Sequence, residues 1–189
     1  MPKAKITREM VTEAAFEVAR AMGIENVNAR TVSEKLGCST QPVMYHFARI
    51  EELKRAVYEK ADRFHSEYLM NIENPEEGDM LGIGLNYIRF AIREPNLFRF
   101  LFQSGFAVGN SLLEMVDSEE LKPLLDMMSG AMKMTAEQTK AVFVTIAMFA
   151  HGYASIIANN SLEYDEKIVA AHLERAYRGA VLAVKEEAK

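Results

Sequence analysis

The stretch from residue 28 to residue 47, Asn-Ala-Arg-Thr-Val-Ser-Glu-Lys-Leu-Gly-Cys-Ser-Thr-Gln-Pro-Val-Met-Tyr-His-Phe, decides how this chain is read. Asn28 is a residue type that accepts hydrogen bonds from the first free N–H groups of a helix, so a short helix is expected from about Ala29 to Leu36. Gly37 then suits a tight turn, and Ser39 offers a cap for a second short helix running to about Phe47. Pro42 falls in the first turn of that helix, where a missing N–H costs little. Two short helices joined across a glycine turn describe a helix-turn-helix, whose second helix enters a major groove while the first crosses the backbone. On that geometry Ser39, Thr40 and Gln41, with Tyr45 and His46 a turn later, are the candidates for base and phosphate contacts. Val32, Val43 and Phe47 are expected in the core whatever the function.

The flanks supply what such a motif needs. Upstream, Val11, Ala14, Ala15, Val18, Ala19 and Met22 recur at helical spacing, with Thr7 as the expected cap and Gly23 as the stop. Downstream, Leu53, Val57, Ala61, Phe64 and Tyr68 stripe a longer helix from about Ile50 to Ile72, which Asn74-Pro75-Glu76-Glu77-Gly78 breaks as a loop. Further helices are expected near 79–93, 96–104, 111–116, 118–130, 135–158 and 165–186. Ser118 before Glu119 and Glu120 is a helix-start signal, and Thr135 with Gln138 forms a capping box. No segment alternates apolar and polar residues as a half-buried strand would. The expected fold class is therefore all-α: a three-helix DNA-binding module over 1–50, with the motif at about 28–47, and a helical effector-binding and dimerisation body over 51–189. The boundary falls at the long helix rather than in a Gly/Ser-rich tether.

Composition excludes several classes. With 189 residues, 49% of them hydrophobic and 26% charged, the chain is long enough for a good core and too apolar to be disordered. One cysteine, Cys38, leaves no intramolecular disulfide and no cysteine-based zinc site, which fits a reducing cytoplasm. Residues 1–60 hold ten Lys and Arg against eight Asp and Glu, and the remainder twelve against nineteen, so a cationic module precedes an acidic body. The 18 residues from Ala141 to Ala158 carry no full charge, about the minimum for a membrane span. Thr145, His151, Gly152 and Ser155 interrupt them, and a buried helix is the expected reading, with no membrane partner.

The quoted motif resembles that of the TetR-type transcriptional regulators. Thr31 to Ser39, then Val43-Met44-Tyr45-His46-Phe47 and Glu51-Glu52-Leu53, are similar to the family pattern T-x-x-x-I-A-x-x-x-G-V-S, L-Y-Y/H-H/Y-F and K-E-x-L. The similarity is dense over residues 6 to 58, where Gly23 also matches. Met44 stands at a position often held by Tyr, and Ile50 where the family often has Lys, leaving Arg49 or Lys54 for that phosphate contact. The resemblance implies a cytoplasmic, homodimeric regulator that binds double-stranded operator DNA, with Thr31 added to the DNA-contacting set, and that acts as a repressor released by a small molecule. Glu94-Pro95-Asn96-Leu97-Phe98 and Phe149-Ala150-His151-Gly152 are similar to the D-P-x-L-F and W-x-H-G features of one subgroup.

Two features of the body bear on partners. Val142, Phe143, Ile146, Ala147, Ala150, Tyr153, Ala154 and Ile157 cover more than one face of their helix, so cover on several sides is needed, and a second copy of the chain would supply it. Val169, Leu173, Ala176 and Ala180 on the last helix form a stripe expected at a four-helix dimer interface. Phe98 and Phe102 share one helical face, as do Phe149 and Tyr153, and with Met128 and His151 they are the candidate walls of an apolar effector pocket. The same residues would equally serve as ordinary core, and His151 as a hydrogen-bonded core histidine.

Enzyme signatures are missing. His65-Ser66-Glu67 matches the H-x-E of zinc deaminases but lacks the P-C-x-x-C that must accompany it. There is no H-E-x-x-H, no phosphate-binding G-x-x-x-x-G-K-[ST] and no G-x-S-x-G. No enzymatic activity, cofactor or metal is expected; a helical ligand carrier or enzyme that leaves DNA alone is the alternative, and salt-sensitive duplex binding separates the two.

Overall fold

The structure, a computed structural model, describes residues 6–71, 80–106, 116, 117, 119, 121–160 and 163–187. Every regular element among them is helical. The elements are α1 (Arg8–Met22), α2 (Ala29–Leu36), α3 (Thr40–His46), α4 (Ile50–Met70), α5 (Met80–Arg93), α6 (Pro95–Gln103), α7 (Lys122–Met132), α8 (Ala136–Asn160) and α9 (Glu166–Glu187), with a short 3-10 turn at Ile24–Asn26. The loop expected at 74–78, the start signal at Ser118 and, apart from Val116, the helix expected near 111–116 lie outside the described residues.

The helix ends follow from their caps. Thr7 accepts from the Met10 N–H at 3.2 Å, and α1 stops where Gly23 takes φ 92°. At α2 the Asn28 side chain accepts from the N–H groups of Arg30 and Thr31 at 3.0 and 3.1 Å, while Thr31 Oγ1 accepts from the Asn28 N–H at 3.2 Å. Gly37 closes α2 in the left-handed region at φ 65°, ψ 34°, a conformation that a residue with a Cβ adopts at a cost of about 1–2 kcal/mol. The capping box at α8 also forms, with Thr135 N–H donating to Gln138 Oε1 at 3.0 Å and Gln138 N–H to Thr135 Oγ1 at 3.3 Å.

Two compact units emerge: Met1–Glu67 with Glu94–Ala107, and Tyr68–Arg93 with Val108–Lys189. In the first, α1 packs on α2, α3 and α6, and Val11, Ala15, Val27, Val32, Val43, Phe47, Leu53 and Val57 are almost wholly buried. The returning α6 is pinned to the end of α1. Arg20 reaches both carboxylate oxygens of Glu94, at 2.8 and 2.5 Å, and the Asn96 side chain donates to the Arg20 carbonyl at 3.0 Å. Such a bidentate guanidinium–carboxylate pair is strong and directional.

In the second unit α8 is the hub, packed by α5, α7 and α9. Helices α5 and α9 come close at Gly84, where a Cβ would lie 2.5 Å from Leu173 Cδ2. Thr139, Val142, Ala150, Ala154 and Ile157 form the covered face of α8. Its opposite face, Ala141, Thr145, Met148, Gly152 and Ile156, stays largely open, with Met148 45% and Ile156 53% exposed. Helix α8 is long and apolar enough to cross a membrane by length and composition, its most apolar 18 residues having mean hydropathy 1.8, and only 22% of that window is buried within the chain.

Candidate nucleic-acid interface

Helix α3 is held from behind and open in front. Val43 and Phe47, each 1% exposed, anchor it to the core, and the Arg8 guanidinium lies 4.4 Å from the Phe47 ring centre. Ser39, Thr40, Gln41, Met44 and Tyr45 are exposed, Tyr45 to 79%. A seven-residue helix with one face in the core and the other in solvent offers hydroxyl, amide, thioether and phenol groups to whatever approaches. Ser39 takes the cap position with extended backbone, and its side chain makes no capping bond.

Three of the expected contact residues carry internal bonds. The Thr31 hydroxyl donates to the Asn26 carbonyl at 2.6 Å besides closing the capping box, so it fixes where α2 begins. His46 Nε2 lies 2.9 Å from the Ile6 carbonyl, which requires that nitrogen to be the donor, and its ring meets Tyr45 edge-on at 5.1 Å. His46 therefore ties the segment before α1 to the end of α3. Arg49 is exposed and pairs with Glu52 at 3.1 Å, while Lys54 is half-buried. A shallow groove lined by Ile6, Gln41, Pro42, Tyr45 and His46 runs along α3. A second groove brings Arg8, Arg49 and Arg55 together with Glu51, Glu52 and Glu59.

The expected effector residues divide between the units. Phe98, wholly buried, and Phe102 belong to the first, with ring centres 5.2 Å apart, and Phe102 meets His65 edge-on at 5.1 Å. Met128 is buried with Val116 and Leu125 in the second unit, beside Phe143 and Val144. Phe149 and Tyr153 do pair, at 5.4 Å, and the Tyr153 hydroxyl bonds His172 Nδ1. His151 bridges Tyr87 at 2.9 Å and Ser155 at 3.2 Å, and burial holds its pKa below the ordinary histidine value. Tyr87, Ser155 and His172 were not legible as partners, because only the folded helices bring them to these rings.

The stripe expected at a dimer interface faces the chain's own helices. Val169, Leu173 and Ala180 are 4%, 1% and 8% exposed, Leu173 against α5 at Gly84 and Ala180 with Met134 and Val142, and Ala176 is half-buried. An apolar stripe at helical spacing needs cover, and here the same chain provides it. What α9 leaves open is the other side, with Ile168 54% and Leu182 61% exposed. Among the described residues no group of three or more His, Cys, Asp and Glu side chains is placed to hold a metal ion.

This helical arrangement is that of the TetR-family transcriptional regulators, as solved structures make plain. A TetR-family regulator from Streptomyces coelicolor superposes with TM-score 0.72 at 14% identity, over 96% of this chain and 82% of that one. A second TetR-family member from Streptomyces coelicolor A3 gives TM-score 0.61 at 18% identity, over 89% and 96%. EbrR, a multidrug binding protein solved with imidazole, gives 0.57 at 17% identity, over 89% and 93%. No protein-family model and no curated protein matches the sequence.

Proposed function

We propose that this chain is a cytoplasmic, homodimeric, DNA-binding transcriptional regulator, a repressor released by a small apolar effector. The observation that carries the reading is the open face of α3, Thr40, Gln41, Met44 and Tyr45, presented by a helix whose other face is locked in the core. A rigid helix of this size fits a major groove, and Gln41 can bond an adenine edge bidentately. His46 acts by holding the Ile6 segment against α3 rather than by reading a base. Arg49, exposed just before α4, and Lys54, half-buried near its start, are the residues this reading assigns to phosphates.

Dimerisation rests on the open stripe of α8. Gly152 sits in mid-helix, where glycine costs about 1 kcal/mol relative to alanine, yet a Cβ there would meet nothing within 4 Å in its own chain. Close approach of a second copy gives that glycine a reason. The effector reading draws on EbrR and on the aromatic pair Phe149–Tyr153, with the Tyr87–His151–Ser155 chain supplying orienting polar groups in an apolar seam.

The test starts from duplexes selected by the full-length protein from a random library. Binding should weaken linearly in log–log terms with salt, and each phosphate contact removed should lower that slope by about 0.9. Gln41→Ala should cost the preferred sequence about 1–3 kcal/mol while leaving non-specific binding nearly intact. Tyr45→Ala, at a side chain almost free of the core, should weaken binding without lowering the melting temperature. A folded protein that selects no sequence and shows no salt dependence would overturn the assignment. For the effector, binding of small aromatic compounds, imidazole among them, should weaken about tenfold in Tyr153→Ala. Hits indifferent to both Tyr153→Ala and Phe149→Ala would place the pocket elsewhere.

A further inference from the structure

Met44 is 45% exposed on α3, three residues beyond Gln41 and one before Tyr45, on the face that the core leaves open. An unbranched apolar side chain on a surface is ordinary by itself. Its neighbours make this one informative. Thr40, Gln41 and Tyr45 all bear hydrogen-bonding groups, and the open face of this helix gives Met44 alone no donor. Over residues 1–60 the sequence holds ten Lys and Arg against eight Asp and Glu, a small excess of positive charge. In a major groove, the edges of guanine, adenine and cytosine present polar atoms, and only thymine adds an apolar group, the C5-methyl. A thioether pressed against a polar edge would strip water from it and return no strong bond. Against a methyl group it loses nothing and buries apolar surface on both sides.

We propose that Met44 is a specificity-determining residue that packs on the C5-methyl of a thymine, so that with Gln41 on adenine the half-site is read as A·T pairs. The inference rests on α3 entering a major groove and adds the identity of the base that its apolar side chain selects. The spacing is suitable: Gln41 and Met44 are three apart, hence on the same face of the helix about one turn from each other. Their targets are therefore neighbouring or next-neighbouring pairs. Because Met44 is far from the core residues Val43 and Phe47 in exposure, its replacement leaves the module folded.

The experiment uses the full-length protein, a duplex selected from a random library, and copies in which each thymine in turn is replaced by deoxyuridine, which lacks only the methyl group. One thymine per half-site should show a loss of about fourfold in affinity on demethylation, the worth of one buried methyl. Met44→Ala should bind the parent duplex more weakly and lose all further sensitivity at that one position, while its salt slope stays that of the unmodified protein. Met44→Leu should retain the sensitivity. Methyl-independence at every thymine, or a methyl effect that survives in Met44→Ala, would overturn the proposal while leaving salt-dependent, sequence-selective binding in place. Absence of selective binding altogether would overturn the parent reading, and this one with it.

Discussion

On the dimer proposed through α8, Met148→Glu is expected to sediment as a monomer at concentrations where the unmodified protein pairs. Met148 lies at the centre of the open α8 stripe between Thr145 and Gly152. In a two-fold interface each residue occurs twice, so one substitution buries two carboxylates near the axis. Taking an unpaired charge out of water costs several kcal/mol, enough to move a dissociation constant by orders of magnitude. The chain itself should fold as before, because Met148 is 45% exposed within it. Ala180→Glu makes the contrast: at 8% exposure, packed with Met134 and Val142, it should unfold the second unit rather than divide the dimer. Gly152→Ala completes the set, with a helix made more stable by up to about 1 kcal/mol and a dimer made weaker. A Met148→Glu protein that remains dimeric would mean that α8 is not the interface.

Stability of the first unit should fall steeply as pH drops from about 6.5 to about 4. His65 on α4 is 7% exposed with its ring against Phe102, and desolvation pushes its pKa from 6.5 down to about 4. In the unfolded chain the imidazole takes a proton near pH 6.5; in the folded one it stays neutral until pH falls near 4. Between those values the unfolded state binds more protons, so acidification favours unfolding, and the full contribution is present only above pH 6.5. The displacement corresponds to about 3 kcal/mol across the window. Carboxylates also titrate there, so the useful comparison is His65→Leu against the unmodified protein, each melted in urea at pH 7 and pH 4.5. The substitution should remove most of the difference between the two pH values. Equal pH dependence in both proteins would mean that His65 ionises freely where it sits.

What the sequence made legible was local. Helix α2 runs from Ala29 to Leu36, as the Asn28 cap and Gly37 stop require, because both signals act within four residues of themselves. The Thr135–Gln138 box is of the same kind. What stayed hidden depends on distant partners. The bond from His46 Nε2 to the Ile6 carbonyl joins residues forty apart, and nothing near His46 in the chain foretells it. His65 stood out in the sequence only as half of an incomplete zinc motif, and nothing near it in the chain foretells the Phe102 ring that meets its own. The Val169–Ala180 stripe is apolar at helical spacing, and periodicity records that a face must be covered, not which chain covers it. Hence the covered and open faces of α8 and α9 became distinguishable only once the helices were packed.

The return of α6 to α1 has a consequence for how the polypeptide is made. Arg20 leaves the ribosome 74 residues before Glu94, its bidentate partner. At bacterial or eukaryotic elongation rates of about 5–20 residues per second, that gap lasts roughly 4–15 s. During it α1, α2 and α3 can already form, since their caps and turns are local, but the end of α1 has neither its counter-ion nor the Asn96 donor that later binds the Arg20 carbonyl. The nascent module thus waits, partly uncovered, until more than half of the 189 residues have been joined. A premature stop anywhere in α5 would release α3 on an unfinished support, a product suited to proteolysis.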